Sequence, residues 1–328
     1  MEIKTKRLVL KPLGVKYLEA VHEYASDIEN TKYMMHLPNS TVEETKTFLQ
    51  NVENEWASDN QSSYEFAILM KNKVIGAVNI YIDKDSAGEL GWIINKKYWK
   101  QGFAYEASKA LMDFAVQELS VKHFIAHCDS ENVASYKVME KLGMSRTGEW
   151  GGRKNKCSDE ERIEYQYEKK LFRELSRKKQ QLSMEECIQV LKNETRGVLS
   201  VLGEQDYPYG MPMNHWYNEE DGKIYFHCGK VGHRLDSLKK HDKVSFCAYD
   251  EGYRNEGEWA LNVKSVIVFG RIEVVDERER IVDITTKLSY KFTQDEEYIK
   301  KEIENFAPAT LLLQLTPEHM SGKLVNEA

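Results

Sequence analysis

Gln101, Gly102, Phe103 and Ala104 stand between an apolar stretch beginning at Trp92 and a helical pattern carried by Ala104, Ala107, Leu111, Phe114 and Ala115. The chemistry that such a turn supports is anion binding. A helix start carries unpaired N–H groups and a partial positive charge. Gly102 has no Cβ, so it leaves open the side from which a ligand reaches the backbone. Upstream, Glu89 falls where alternation along a strand turns a carboxylate towards the open centre of a sheet. Two roles fit it: a general base that takes a proton from an amine, often through water, or a structural carboxylate satisfied by neighbouring N–H groups. Downstream, Asn132 and Ser135 open a second helical stretch that closes at Gly143. Asn132 is a good N-cap, and capping alone accounts for its type. Ser135 either belongs to the same cap or lends its hydroxyl to a ligand as a hydrogen-bond donor.

A sheet has to stand behind these residues. After a first strand and two helices, strands are expected over 64–70, 74–82, 89–95 and 123–128. Helices start at Ala104 and Val133, and closing strands run to about residue 167. Interleaved strands and helices give an α/β (α+β) mixed sheet.

The turn is followed by His127-Cys128-Asp129-Ser130-Glu131-Asn132-Val133-Ala134-Ser135. It is preceded, in order, by Lys6-Arg7-Leu8-Val9-Leu10-Lys11-Pro12, Val74-Ile75-Gly76-Ala77-Val78 and Glu89-Leu90-Gly91-Trp92. This series resembles the GNAT acetyltransferase superfamily, in its ribosomal-protein N-terminal acetyltransferase (RimJ/RimL-type) branch, over residues 1–172. The resemblance implies acetyl-CoA as cosubstrate, with its pyrophosphate on the main chain of Gln101, Gly102, Phe103 and Ala104, and Asn132 against the pantetheine arm. The family places Gln or Arg three residues before the glycine, and here that residue is Trp99; main-chain donors still do the binding. The Tyr that often protonates the leaving thiolate is replaced by Met139, and in this branch the serine three residues after the Asn takes that role, here Ser135. A hydroxyl is a poor acid, so a hydrogen bond to the thiolate is its more credible task. Acetyl transfer requires a neutral amine, which makes Glu89 the candidate base. Cys128 lies in a strand and is expected to be buried rather than activated, so no acyl-enzyme is anticipated. The acceptor is a small-molecule amine or a protein N-terminus. The segment Tyr33-Met34-Met35-His36-Leu37-Pro38, which must define it, follows no legible pattern.

The second half is rich in strands, expected over 197–202, 211–217, 223–228, 244–249, 262–275 and 311–315, with short helices near 235–240, 279–290 and 296–305. Such a succession suggests a barrel. Arg234, two residues after Gly232 and beside an apparent helix start at Leu235, suits a phosphate by charge and geometry, or is a solvated surface residue. Pro208-Tyr209-Gly210-Met211-Pro212-Met213-Asn214, Ile224-Tyr225-Phe226-His227-Cys228, Gly232-His233-Arg234-Leu235-Asp236 and His319-Met320-Ser321-Gly322-Lys323 occur in order. They resemble the pyridoxamine-phosphate-oxidase-like split barrels, in the nitroimidazole-resistance (NimA-type) branch, over residues 183–325. That resemblance implies a homodimer holding FMN near the subunit boundary. Pro212, Met213 and Asn214 would border the flavin ring, His227 its edge, and Arg234 and Lys323 the phosphate. Plain structural roles remain open for each: core for Met213, a hydrogen-bonded or surface ring for His227. Trp216 and Trp259 either cover a ring or fill a dimer core, and another flavin or a haem remains an alternative to FMN.

A length of 328 residues suits two domains. The highly charged stretch 173–182 reads as a linker between domains 1–172 and 183–328, the second opening on a capping-box pattern at Ser183 and Glu186. A net charge of −7 argues against a nucleic-acid binder. No apolar run has the length of a membrane helix. Five scattered cysteines, with no C-x-x-C pair, indicate reduced thiols of a cytoplasmic protein and no disulfide or metal framework. Two function classes follow: an acetyl-CoA-dependent N-acetyltransferase fused to a flavin-binding barrel, or a flavin-binding sensor or nitroreductase-type protein with a regulatory or degenerate acetyltransferase half.

Overall fold

A computed structural model describes residues 1–327. The chain forms two compact units, Met1–Arg173 and a second beginning at Glu174. The first contains β1 (Ile3–Lys4), β2 (Val9–Pro12), α1 (Leu18–Ala25), α2 (Ile28–Thr31), α3 (Val42–Trp56), β3 (Ser63–Met70) and β4 (Lys73–Ile82). After these come β5 (Ala87–Ile94), α4 (Phe103–Glu118), β6 (His123–Asp129), α5 (Val133–Lys141), β7 (Ser145–Lys154) and β8 (Glu161–Lys170). Local chemistry explains the helices. Thr41 caps α3 by accepting from the Glu44 N–H at 3.2 Å, and Thr45, Leu49 and Val52 form its buried stripe. Along α4 the stripe is Ala107, Ser108, Leu111, Met112 and Ala115, packed with Phe66, Ile80 and Phe124 on one face of the sheet. Truncating the fully buried Leu111 to alanine would cost about 2–5 kcal/mol. On the other face, α1 and α3 bring Val21, Tyr24 and Leu49 onto Ala67 and Ala77.

The sheet order is β1-β2-β3-β4-β5-β6-β8-β7, antiparallel except for β5 beside β6. A parallel neighbour requires a crossover, and α4 supplies it. That pairing is short: Ala87, Gly88 and Glu89 oppose His123, Phe124 and Ile125. Beyond Glu89 and Ile125 both strands continue, β5 against β4 and β6 against β8, and they no longer pair with each other.

The second unit contains α6 (Met184–Asn193), β9 (Arg196–Leu202), β10 (Pro208–Asn214), β11 (Trp216–Asn218), β12 (Lys223–Gly229), α7 (His233–Leu238) and β13 (Lys243–Tyr249). It closes with β14 (Asn262–Val275), α8 (Arg278–Ser289), α9 (Glu296–Phe306) and β15 (Thr310–Asn326). Its sheet, β10-β9-β13-β14-β15-β12-β11, is antiparallel throughout and curls into a half-barrel consistent with a split barrel. Three elements differ from the sequence-based expectation. The single strand expected over 211–217 breaks at His215, and its two halves lie at opposite edges of the sheet. His215 is fully buried at this corner, with Nε2 at 2.9 Å from the Leu191 carbonyl. The last strand runs through Pro317 to Asn326 because a bulge between Phe269 and Gly270 absorbs the interruption, placing Gly270 opposite Pro317 and Phe269 opposite His319. The helix expected near 235–240 starts two residues earlier, at His233, so Arg234 lies inside α7 rather than ahead of it.

Candidate active site between the parting strands

The turn after β5 is held by side chains that sequence reasoning assigned no task. Trp99 donates its indole N–H to the Ile94 carbonyl at 2.7 Å, a structural use for the residue found where the family has Gln or Arg. Lys100 and Gly102 have φ of 60° and 78°, the left-handed region, and Gly102 is the N-cap of α4. Arg7 clamps the turn: Nη1 donates to the Gln101 carbonyl at 3.0 Å, Nε donates to Glu106 at 2.6 Å, and the guanidinium lies 4.5 Å from the Phe103 ring centre. Helix geometry leaves the N–H groups of Phe103, Ala104 and Tyr105 without intrahelical acceptors. Asn132 caps α5 through a 3.1 Å hydrogen bond from the Ser135 N–H.

These two helix starts flank a cleft of about 570 Å³ whose lining includes Trp92, Ile94, Phe103, Ala104, Asn132 and Ser135. A connected cavity of about 460 Å³ is lined by Tyr33, Met35, His36, Glu89, His127 and Ser135. Ser135 lines both, and no hydrogen bond engages its hydroxyl among the described residues. The loop bearing Tyr33 is pinned by the β7–β8 hairpin: Arg153 donates to the Tyr33 carbonyl at 2.9 Å, and the Lys156 N–H to the Met34 carbonyl at 3.0 Å. Arg153, 8% exposed, is ion-paired with Glu164.

Glu89 is half-exposed and has a partner that the sequence did not reveal, His127, whose Nδ1 lies 2.9 Å from its carboxylate. That hydrogen bond holds the Glu89 carboxyl below the usual range and raises the His127 imidazolium above its usual value. His127 Nε2 meets the Gln166 side-chain oxygen at 3.0 Å, while the Gln166 amide donates to Glu168 at 2.6 Å and to Thr147. Both ring nitrogens therefore face acceptors, an arrangement that suits the doubly protonated ring. Glu168 also receives His123 at 2.7 Å and the Thr147 hydroxyl at 2.9 Å. His123 and His127 fall on the strand expected over 123–128; their partners on β5 and β8 depend on register. Cys128 lines the smaller cavity but is only 3% exposed, and burial pushes its thiol up to about 11. A thiol so placed is inert as a nucleophile.

In the second unit Arg234, Met213, His227 and Cys228 come together. Arg234 Nη1 contacts the Met213 sulfur at 2.5 Å, while its Nε is buried without a partner. The surrounding protein and then the Arg234 charge lower the His227 ring below its usual value. Met213 belongs to the core, and Asn214 accepts from Arg196 at 3.3 Å. Pro212 is exposed. Lys323 lies on β15 opposite Ser265 and near Cys247, whose thiol feels its charge. Trp216 packs against a core cluster with Tyr225, whereas Trp259 is exposed. No described helix is long and apolar enough to cross a membrane.

Comparison with known proteins agrees with this geometry. Residues 7–145 match the acetyltransferase (GNAT) domain family, and residues 183–324 match pyridoxamine 5'-phosphate oxidase. The uncharacterized N-acetyltransferase YnaD of Bacillus subtilis is 34% identical over 151 residues, 45% of this chain and 85% of its own. A second uncharacterized N-acetyltransferase, from Bacillus licheniformis, is 28% identical over 148 residues, 44% of this chain and 82% of its own. Among solved structures, a GNAT-family acetyltransferase from Bacillus anthracis is 32% identical, with 52% of this chain and 99% of that one covered and a TM-score of 0.46. The family match, the relatives and the gap between β5 and β6 favour an enzyme over a sensor with a degenerate transferase half. The chain belongs to the GNAT N-acetyltransferases and carries that domain ahead of a pyridoxamine 5'-phosphate oxidase-like, flavin-binding type of domain.

Proposed function

We propose that the chain moves the acetyl group of acetyl-CoA directly onto an amine, with the thioester in the gap between β5 and β6. The observation that carries this reading is the gap itself: two strands part beyond a carboxylate, and two helix N-termini face the space they leave. The pyrophosphate is assigned to the main chain of Gln101, Gly102, Phe103 and Ala104. The pantetheine arm runs past Trp92 and Asn132 towards Ser135, and the amine enters beside Tyr33 and His36. The ammonium gives one proton to Glu89, whose carboxylate His127 keeps oriented and ionised. The amine lone pair then attacks the acetyl carbon, the C–S bond breaks, and the remaining amine proton ends on the thiolate. The Ser135 hydroxyl stabilises that thiolate by donating to it. The acceptor is a small-molecule amine or a protein N-terminus.

For the second domain the reading is an FMN-binding homodimer. The buried, unpartnered Arg234 Nε fits a phosphate oxygen, with Pro212, Met213, Asn214 and His227 beside the ring. Lys323 is assigned to the same phosphate. FMN, when bound, supplies reversible hydride or electron transfer, as a nitroaromatic reductase of the nitroimidazole-resistance type requires. Free thiols at all five cysteines support a cytoplasmic location.

The test is Gly102→Val, which places a branched side chain at a φ of 78° where the pyrophosphate approaches. Calorimetry should show acetyl-CoA bound at least about tenfold more weakly, ~1.4 kcal/mol. Unchanged affinity in a folded variant would sink the assignment.

A further inference from the structure

Asn30, on the short helix α2, lines the same cleft as Trp92, Phe103, Ala104 and Asn132. Asn30 is held once by its backbone and once by its side chain. The Asp27 carboxylate accepts the Asn30 backbone N–H at 2.9 Å, and the Asn30 side-chain oxygen accepts the Lys96 N–H at 2.6 Å. Lys96 is itself tied back to this segment by its ammonium, 2.7 Å from Asp27 and 2.8 Å from Glu29. Turning the amide over would set two donors against each other, so the Lys96 N–H decides which end of the amide is which. The other end, Nδ2, is buried and has no acceptor among the described residues. A buried donor without an acceptor is costly, and a native protein keeps one where a ligand completes it.

The chemistry of that ligand follows from the donor. Phosphate oxygens are served by helix N–H groups at the start of α4, where the positive end of the dipole lies. A neutral carboxamide in a cleft also lined by Val133 and Val138 matches a neutral acceptor such as an amide carbonyl. We propose that Asn30 Nδ2 donates to an amide carbonyl of the pantetheine arm, making α2 part of the cosubstrate site. This inference rests on the acetyl-CoA reading of the cleft.

The experiment is calorimetry on the full chain with two probes: CoA, and adenosine 3',5'-bisphosphate, which lacks the arm. Asn30→Asp keeps an oxygen towards the Lys96 N–H and removes the donor. Asn30→Leu removes the donor without adding charge. In both variants the CoA dissociation constant should rise about tenfold, while that of the bisphosphate moves less than about twofold. Equal weakening of both probes would make Asn30 a strut for the Lys96 turn and overturn the proposal. Unchanged CoA affinity in both variants would overturn it as well. Failure of either probe to bind the wild-type chain would instead defeat the reading of the cleft, and this inference with it.

Discussion

Each unit leaves one sheet face open, and the two faces are made of opposite materials. Across β5, β6, β8 and β7 the open face carries Glu89, His127, His123, Gln166, Glu168 and Thr147, joined by hydrogen bonds. Across β13 and β14 it carries Tyr249, Ile267 and Phe269, exposed by 58%, 37% and 40%, beside Ser245, Cys247 and Ser265. A polar ladder satisfied within one chain is at ease in water. An apolar sheet face forfeits about 25 cal/mol for each Å² left wet, and patches of this kind mark association surfaces. The acetyltransferase unit therefore has Glu89 and His127 partnered within a single copy. The barrel unit has a buried Arg234 Nε without a partner and an exposed apolar stretch, which the proposed FMN and second copy would complete.

The sharpest way to break this contrast is to place a charge on each face. Ile267→Glu would bury an unpaired carboxylate in the proposed dimer and weaken association by about 3 kcal/mol or more, over a hundredfold. Gln166→Lys, on the polar face, should leave association unchanged. Sedimentation of the full-length protein reads both, and a wild-type chain that stays monomeric would remove the dimer from the account.

Next in size is Arg234→Ala, expected to weaken FMN by ~2 kcal/mol, the order of one charged hydrogen-bonded contact. Riboflavin, which has the ring and no phosphate, should barely respond. Equal losses for both would make Arg234 a structural residue that merely supports Met213.

A smaller effect is expected at the polar face. As pH rises through the raised His127 value, above 6.5, the ring loses its proton and Glu89 loses the charge that depresses it. The carboxylate becomes the stronger base, so kcat/KM should climb along a limb centred above 6.5 for an acceptor that titrates outside that range. The stability arising from the pair behaves in the opposite sense. The imidazolium share is lost as pH rises through the raised His127 value, and the carboxylate share is lost as pH falls through the depressed Glu89 value. His127→Asn, which carries no charge, should erase the limb and hold kcat/KM near neutrality at or above the wild-type value. An identical profile in the variant would show that His127 only orients its neighbour. The smallest effect belongs to Cys128→Ala, where turnover should stay within about twofold because a buried thiol is no nucleophile. Mass spectrometry that trapped an acetylated Cys128 would reverse that reading.

What could be read in advance was local. The turn from Trp99 to Ala104 and the Asn132 cap are short-range features, since a left-handed glycine and a capping amide act within a few residues of themselves. Glu89 was legible as a strand carboxylate, but its partner was not, because His127 meets it only through the parallel register of β5 and β6. Arg7 was visible within a motif, and its hold on the Gln101 carbonyl was not.

The same division runs through the second unit. The strand expected over 211–217 is extended chain, yet nothing in the sequence showed that β10 and β11 lie at opposite edges of one sheet. Pro317 and the polar residues after it read as the end of a strand until the bulge at Gly270 let β15 continue. Arg234 was legible as a cation suited to a phosphate, and its contact with the Met213 sulfur was not. Sequence by itself determined the two fold classes, the turn conformation and the helix caps, because backbone dihedrals and short-range hydrogen bonds depend on neighbours along the chain. Tertiary structure alone decided which charges meet, because strand register and barrel closure are settled by packing between residues far apart in sequence.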